Sequence, residues 1–178
     1  SVISNLPKPM APVGKYPFLS YLLNYLWKQS VHRVVLSVGY KWEIIKDYYG
    51  NAFKGMALIY CNEEEPLGTG GAIKQSMGFV KSDYCFVLNG DSFFDVDLLK
   101  MKMHHLESHA DITIALKKME NFDRYGTVEM NGNTVVKFIE KQYVRAGFIN
   151  GGIYLINKKI FDSIETSPKF SIKNDFFQ

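Results

Sequence analysis

The chain has 178 residues, 47% of them hydrophobic and 22% charged, with a formal net charge of +3. That length fits one domain with a sizeable core, and the apolar content with so small a net charge excludes a disordered polymer. The charge suits a small anionic substrate; no basic run marks a nucleic-acid footprint, and no apolar run reaches membrane-spanning length.

Pro17 to Ser30 carries apolar residues at helical spacing behind a proline suited to the first turn, and predicts a helix. Arg33 to Val38 is a short β-branched run that fits a buried parallel strand. Trp42 to Tyr49 predicts a second helix, stopped by Gly50-Asn51. Met56 to Cys61 reads as a strand, Gly71 to Val80 as a third helix and Tyr84 to Leu88 as a third buried strand. Leu98 to His109 predicts another helix, and Asp111 to Lys117 another strand. From Gly126 short strands dominate: Thr127–Met130, Val135–Glu140 and Gly152–Ile156, with Asn131-Gly132 as a hairpin turn. This alternation implies an α/β fold, a Rossmann-like and mostly parallel sheet flanked by helices, with extra antiparallel strands toward the C-terminus. In such sheets the loops after the carboxyl ends of the strands build the ligand site.

No linker, repeat or low-complexity tract divides residues 1–178, so a single domain is expected. A doubly wound sheet opens with a central strand and a glycine-rich phosphate loop. The chain instead opens at Ser1 in a polar, proline-containing stretch and closes on Phe176-Phe177-Gln178, so the domain is expected to be incomplete at both ends. Cys61 and Cys85 sit in apolar, strand-like runs and read as buried free thiols of a reducing compartment, the cytoplasm.

Five stretches have the residue types for chemistry. In Leu6-Pro7-Lys8-Pro9-Met10-Ala11-Pro12-Val13 the prolines hold the backbone extended, which would make Lys8 a fixed point charge for phosphate; on spacing alone a solvated lysine in a proline-rich loop is the better reading. Glu65-Pro66-Leu67-Gly68-Thr69-Gly70-Gly71-Ala72 leads into a helix, where glycines admit close approach and the helix N-terminus favours anions; turns and caps also use glycine. Asn89-Gly90-Asp91 follows a buried strand, and a carboxylate there suits Mg²⁺ bridging phosphates, or a cap. Arg124-Tyr125-Gly126 and Glu140-Lys141 come next, the latter a pair that can serve one ligand only at a strand end, since neighbours on a strand face opposite ways. Asn150-Gly151-Gly152-Ile153-Tyr154 reads by itself as a turn entering a strand.

Taken in order, these stretches resemble the sugar-1-phosphate nucleotidyltransferases, whose pattern runs Pro-Lys-Pro, Leu-Gly-Thr-(Ala/Gly)-Gly-Ala, Gly-Asp, Tyr-Gly, Glu-Lys and Asn-(Ala/Gly)-Gly-Ile-Tyr. Lys8, Leu67–Ala72, Asp91, Tyr125-Gly126, Glu140-Lys141 and Asn150–Tyr154 match it across essentially the whole chain. The family's opening Gly-Gly-x-Gly-Thr-Arg loop and its later metal-binding aspartate are not found, and Glu-Lys-Pro reads Glu140-Lys141-Gln142. The resemblance implies a GT-A-like fold and attack of a sugar-1-phosphate oxygen on the α-phosphorus of a nucleoside triphosphate, with pyrophosphate leaving.

It also implies roles. Lys8 and Asp91 would be catalytic, Asp91 as the Mg²⁺ ligand; Glu65, Leu67, Gly68, Thr69, Gly70, Gly71, Asn89 and Gly90 would bind nucleotide. Tyr125, Gly126, Glu140, Asn150 and Gly151 would address the sugar, and Lys141 its phosphate. Within the family, Leu-Pro-Lys-Pro-Met-Ala-Pro-Val, Asn-Gly-Asp-Ser-Phe-Phe-Asp-Val-Asp and Ile-Asn-Gly-Gly-Ile-Tyr resemble most the guanylyltransferases of D-glycero-D-manno-heptose 1-phosphate, which implies GTP and a role in bacterial surface glycans. Homo-oligomers are common in the family. Two other readings compete: a glycosyltransferase using Asp95-Val96-Asp97 for metal, although Asp97 reads better as a helix cap, and a non-catalytic nucleotide-sugar sensor. His105 and His109 lie one helical turn apart and read as a solvated helix face rather than a metal pair.

Overall fold

The computed structural model describes residues 6–163 and 167–172; Ser1 and the closing Phe176-Phe177-Gln178 lie outside the described residues. Prolines on either side of Lys8 set a 3-10 turn over Lys8–Met10, which leads into the two-residue strands β1 (Pro12–Val13) and β2 (Tyr16–Pro17). α1 (Phe18–Lys28) starts directly after Pro17 and buries Leu19, Leu22, Leu23 and Leu26, one face at helical spacing. Then come β3 (Arg33–Val38), α2 (Trp42–Tyr49), the short β4 (Ala52–Phe53) and β5 (Met56–Asn62). α3 (Gly68–Ser76) runs on into a 3-10 turn, Met77–Phe79, followed by β6 (Tyr84–Leu88) and α4 (Leu98–Glu107). The chain continues through β7 (Ile112–Phe122), β8 (Thr127–Asn131), β9 (Thr134–Ile139), β10 (Val144–Asn157) and a 3-10 turn at Lys158–Phe161.

The fold is α/β, with sheets flanked by helices and antiparallel strands toward the C-terminus. β3 and β5 pair in parallel, and β4 adds antiparallel to β5. β6 to β10 form a second sheet, antiparallel throughout, with β10 as its hub between β6, β7 and β8. The parallel content is thus smaller than the strand–helix alternation suggests: among the described residues β3–β5 is the one parallel pair. The reason lies at β6, which pairs with β10 and leaves its other edge facing that of β3 across a slot of about 920 Å³. Leu19, Leu22 and Leu26 of α1 line that slot, as do Ile73 of α3 and Met77.

β10 also divides the interior. Ile153 and Leu155 face a core shared with α1, α2, β5 and α4, whereas Tyr154 and Ile156 face a smaller one with Met77, Phe161, Phe170 and Ile172. Leu155 and Ile156 are both fully buried.

Several boundaries differ from the sequence pattern. α3 begins at Gly68 rather than Gly71, because the backbone of segment 168–170 packs on the glycine run and holds it helical. β7 extends to Phe122 and β10 starts at Val144, held by their mutual ladder rather than by apolar runs of their own. The β8–β9 turn is Gly132-Asn133, not Asn131-Gly132, since a register shift after Glu129 brings Asn131 opposite Thr134. His105 is not on a solvated face: it is 3% exposed, its Nδ1 lies 2.8 Å from Thr113 Oγ1, and burial pushes its pKa below the usual value. Cys61 is buried and Cys85 half-buried, both free, and burial raises the Cys85 thiol to about 11. Among the described residues no helix is long and apolar enough to cross a membrane.

Candidate active site

The 3-10 turn that presents Lys8 closes through Met10 N–H to Pro7 O (2.8 Å) and Ala11 N–H to Lys8 O (3.1 Å). Its ammonium forms an ion pair with the carboxylate of Asp91, which stands just beyond the carboxyl end of β6. The two predicted catalytic residues, 83 positions apart, are therefore in direct contact. Their side chains are 77% and 42% exposed. A pair so open to water contributes about 0–1 kcal/mol, so an arriving phosphate or cation can replace either partner with little loss.

The Asp91 loop is tied in turn to β10. Opposite β7, Asn150 faces Leu116 and Tyr154 faces Ile114, so Gly151, Gly152 and Ile153 bulge opposite Ala115 alone. The predicted turn entering a strand is thus a bulge inside a 14-residue strand. It brings Gly152 O within 3.0 Å of Asn89 N–H, with Gly152 at φ +75°; a Cβ there would sit 2.6 Å from Asn89 Nδ2. A Cβ on Gly151 would overlap the ring of Phe94. Only glycine allows the loop that carries Asn89, Gly90 and Asp91 to lie this close to the strand. The bulge also engages the Asn150 carboxamide, whose Oδ1 accepts from Gly152 N–H (2.8 Å) and whose Nδ2 donates to Tyr154 Oη (2.7 Å).

Strand register assembles the remaining residues. Thr127 pairs with Ile139 on one side and with Ile149 on the other. Gly126, Glu140 and Asn150, each one register position beyond these pairs, consequently come side by side, Gly126 just before β8, Glu140 just past β9 and Asn150 within β10. β9 stops at Ile139, so Glu140 and Lys141 stand beyond the strand end, the one setting in which that pair can serve a single ligand. Tyr125 is 50% exposed in the loop before β8.

The glycine-rich segment is anchored from two directions. Glu63, at the end of β5, accepts from Leu67 N–H (3.2 Å) and from Ser37 Oγ (3.0 Å). Phe170 N–H donates to Leu67 O (3.0 Å), and Phe170 O accepts from Gly70 N–H (2.9 Å). Gly70 and Gly71 are buried, and a Cβ on either would overlap segment 168–170. Their amides and Cα faces are thus turned to the protein, while Glu65, Gly68 and Thr69 are exposed and Leu67 is half-buried. Three glycines that look like a ligand cradle have a packing role that only the C-terminal segment reveals. Glu63 and Phe170 carried no signal of their own in the sequence, Glu63 being one of three consecutive glutamates.

Asp97 caps α4, its Oδ1 accepting from Lys100 N–H at 3.0 Å, as the helix-cap reading expects. Among the described residues no three acidic, histidine or cysteine side chains cluster as a metal site. A family model described as nucleotidyl transferase matches residues 2–176. The chain belongs to that family. Family membership displaces the glycosyltransferase reading of Asp95-Val96-Asp97. D-glycero-alpha-D-manno-heptose 1-phosphate guanylyltransferase of Aneurinibacillus thermoaerophilus is 48% identical over 178 residues, all of this chain and 77% of that protein. The enzyme of the same name from Campylobacter jejuni is also 48% identical, with 78% of its length covered. The crystal structure of HddC from Yersinia pseudotuberculosis complexed with GMP-PN matches with a TM-score of 0.88 at 34% identity, over 97% of this chain and 76% of that one.

Proposed function

We propose that the protein is an enzyme that transfers GMP from GTP to D-glycero-D-manno-heptose 1-phosphate, giving a GDP-sugar and pyrophosphate. The observation that carries this reading is the continuity of the site. The Lys8–Asp91 pair is joined through Asn89 and the β10 bulge to the register position where Gly126, Glu140 and Asn150 come side by side. A phosphate-binding charge beside hydroxyl-binding groups suits the union of two phosphorylated substrates. Base and sugar are supported by the 48% identity with two guanylyltransferases of that heptose phosphate.

In the reaction a sugar-phosphate oxygen forms the new bond to the α-phosphorus, the bond from that phosphorus to the bridging oxygen breaks, and pyrophosphate carries away the charge. An anion must approach a polyanion, so fixed positive charge is the main requirement. Lys8 meets the nucleotide phosphates, and Lys141 holds the sugar phosphate. Glu65, Leu67, Gly68, Thr69, Asn89 and Gly90 line the nucleotide side, with Gly70 and Gly71 shaping that loop from within. Tyr125, Gly126, Glu140, Asn150 and Gly151 line the sugar side. An exposed carboxylate beside a phosphate-binding lysine is a donor set that fits Mg²⁺, which takes one or two carboxylates with substrate phosphates and keeps several waters. Asp91 would hold that ion, whose contribution is charge neutralisation at phosphate oxygens. Free cysteines suit a cytoplasmic enzyme.

Pyrophosphate release, measured with Mg²⁺ over the four nucleoside triphosphates and a panel of sugar 1-phosphates including mannose 1-phosphate, tests this. GTP with the manno-configured heptose phosphate should give the highest kcat/KM. A preference for another base or sugar would overturn that part of the proposal, and a folded protein without turnover on any pair would overturn the whole.

A further inference from the structure

The Asn150 carboxamide raises a question of orientation. An asparagine offers two N–H donors and two lone pairs, and a free side chain can rotate its amide to present either. Here one lone pair and one N–H are committed within the chain, to Gly152 N–H and to Tyr154 Oη. Gly152 N–H can only donate, so the carbonyl side is set by the bulge. The phenol oxygen then receives the opposite, donor end. Tyr154 is 6% exposed, and its ring packs in the smaller core with Met77, Ile156, Phe161 and Phe170. Burial and the Asn150 contact act oppositely on the phenol, with burial the larger and the pKa raised, so the hydroxyl stays protonated at neutral pH.

We infer that Tyr154 is a positioning residue for the sugar side of the site. Gly152 N–H sets which way the Asn150 amide faces, and the Tyr154 hydroxyl, accepting from its Nδ2, holds it there, which leaves one N–H and one lone pair of that amide in a fixed direction for a substrate hydroxyl. The lock reaches the Asp91 loop as well, because Gly152, which holds Asn150 Oδ1, also accepts from Asn89 N–H. The inference rests on the reading of Asn150 as a sugar-binding residue.

Tyr154→Phe keeps the buried ring and removes only the oxygen, so the melting temperature should stay within a few degrees of wild type. With one hydrogen bond lost, the KM for the sugar 1-phosphate should rise about tenfold while that for GTP changes less than twofold. Added to Asn150→Ala, Tyr154→Phe should have no further effect on that KM, since the group it positions is gone. A KM for sugar phosphate equal to wild type, equal rises in both KM values, or full additivity with Asn150→Ala would each overturn the inference. Should the wild-type protein release no pyrophosphate, it is the proposed function that fails. The lock is then read directly from the Asn150 side-chain amide in a ¹H–¹⁵N spectrum: an N–H resonance that moves in Tyr154→Phe supports it, and one that stays refutes it.

Discussion

At the scale of single residues, the candidate site is a set of charges that solvent still reaches. Lys8 and Asp91 neutralise one another at modest energetic benefit, and both are exposed enough for ligands to compete. Lys141 stands beyond the end of β9, in water, where its charge costs the fold nothing. The proposed function gives it a phosphate to meet. Replacing Lys141 with Ala should therefore raise the KM for sugar 1-phosphate more than the KM for nucleotide, with little change in thermal stability. Steady-state kinetics with each substrate varied in turn would show it, and the reverse pattern would remove Lys141 from the sugar-phosphate side. These charged positions became legible in the sequence through the resemblance of their motifs to one family; spacing alone fits solvated charges as well. The motifs did not disclose that Lys8 and Asp91 touch, because a contact across 83 residues belongs to the folded chain.

At the scale of elements, two glycine-rich segments turn out to be joints between distant parts of the chain. The N-terminal end of α3 is fitted to segment 168–170, and the bulge in β10 is fitted to the loop after β6. The first joint makes a stability prediction. A Cβ at Gly70 would overlap the Phe170 ring, which is 5% exposed and enclosed by Met77, Tyr154 and Ile172. An enclosed ring has little room to retreat, so Gly70→Ala should destabilise the protein by about 1–3 kcal/mol. Phe170→Leu, harmful alone, should recover part of that loss in the double variant. Denaturant titration of the four proteins would check this; a Gly70→Ala protein as stable as wild type would mean that the joint is loose. Most element positions could be read from hydrophobic period, since α1, β3, α2, β5 and β6 fall where the pattern puts them. The ladder of β7 and β10 is longer than its apolar runs because pairing itself satisfies the backbone of polar residues such as Lys117, Lys118 and Glu120.

At the scale of the whole molecule, β10 makes the two cores dependent on each other. Leu155 and Ile156 are adjacent in sequence, both fully buried, and point to opposite cores. Truncating either should cost about 2–5 kcal/mol. If the shared strand couples the cores, Leu155→Ala and Ile156→Ala will each lower one common calorimetric transition. Two resolved transitions, each answering to one variant, would show that the cores melt separately. The slot between β3 and β6 belongs to this scale too, since it is bounded by one edge of the β3–β5 sheet and one of the β6–β10 sheet and is visible only once those two stand side by side.

The sequence by itself determined the α/β class, the order of the helices and strands, and the ordered motifs that imply a nucleotidyltransferase. The first two follow from local hydrophobic period and turn chemistry; the third follows from the resemblance of the motifs, in their order, to one family. Tertiary structure alone decided how many strands run parallel, that Gly70 faces Phe170 and Gly71 faces Pro168, that His105 is buried against Thr113, and that Asn150 is held by Tyr154. Those facts depend on which distant segment arrives at each surface, and the packing of one segment against another is not encoded in any short stretch of chain.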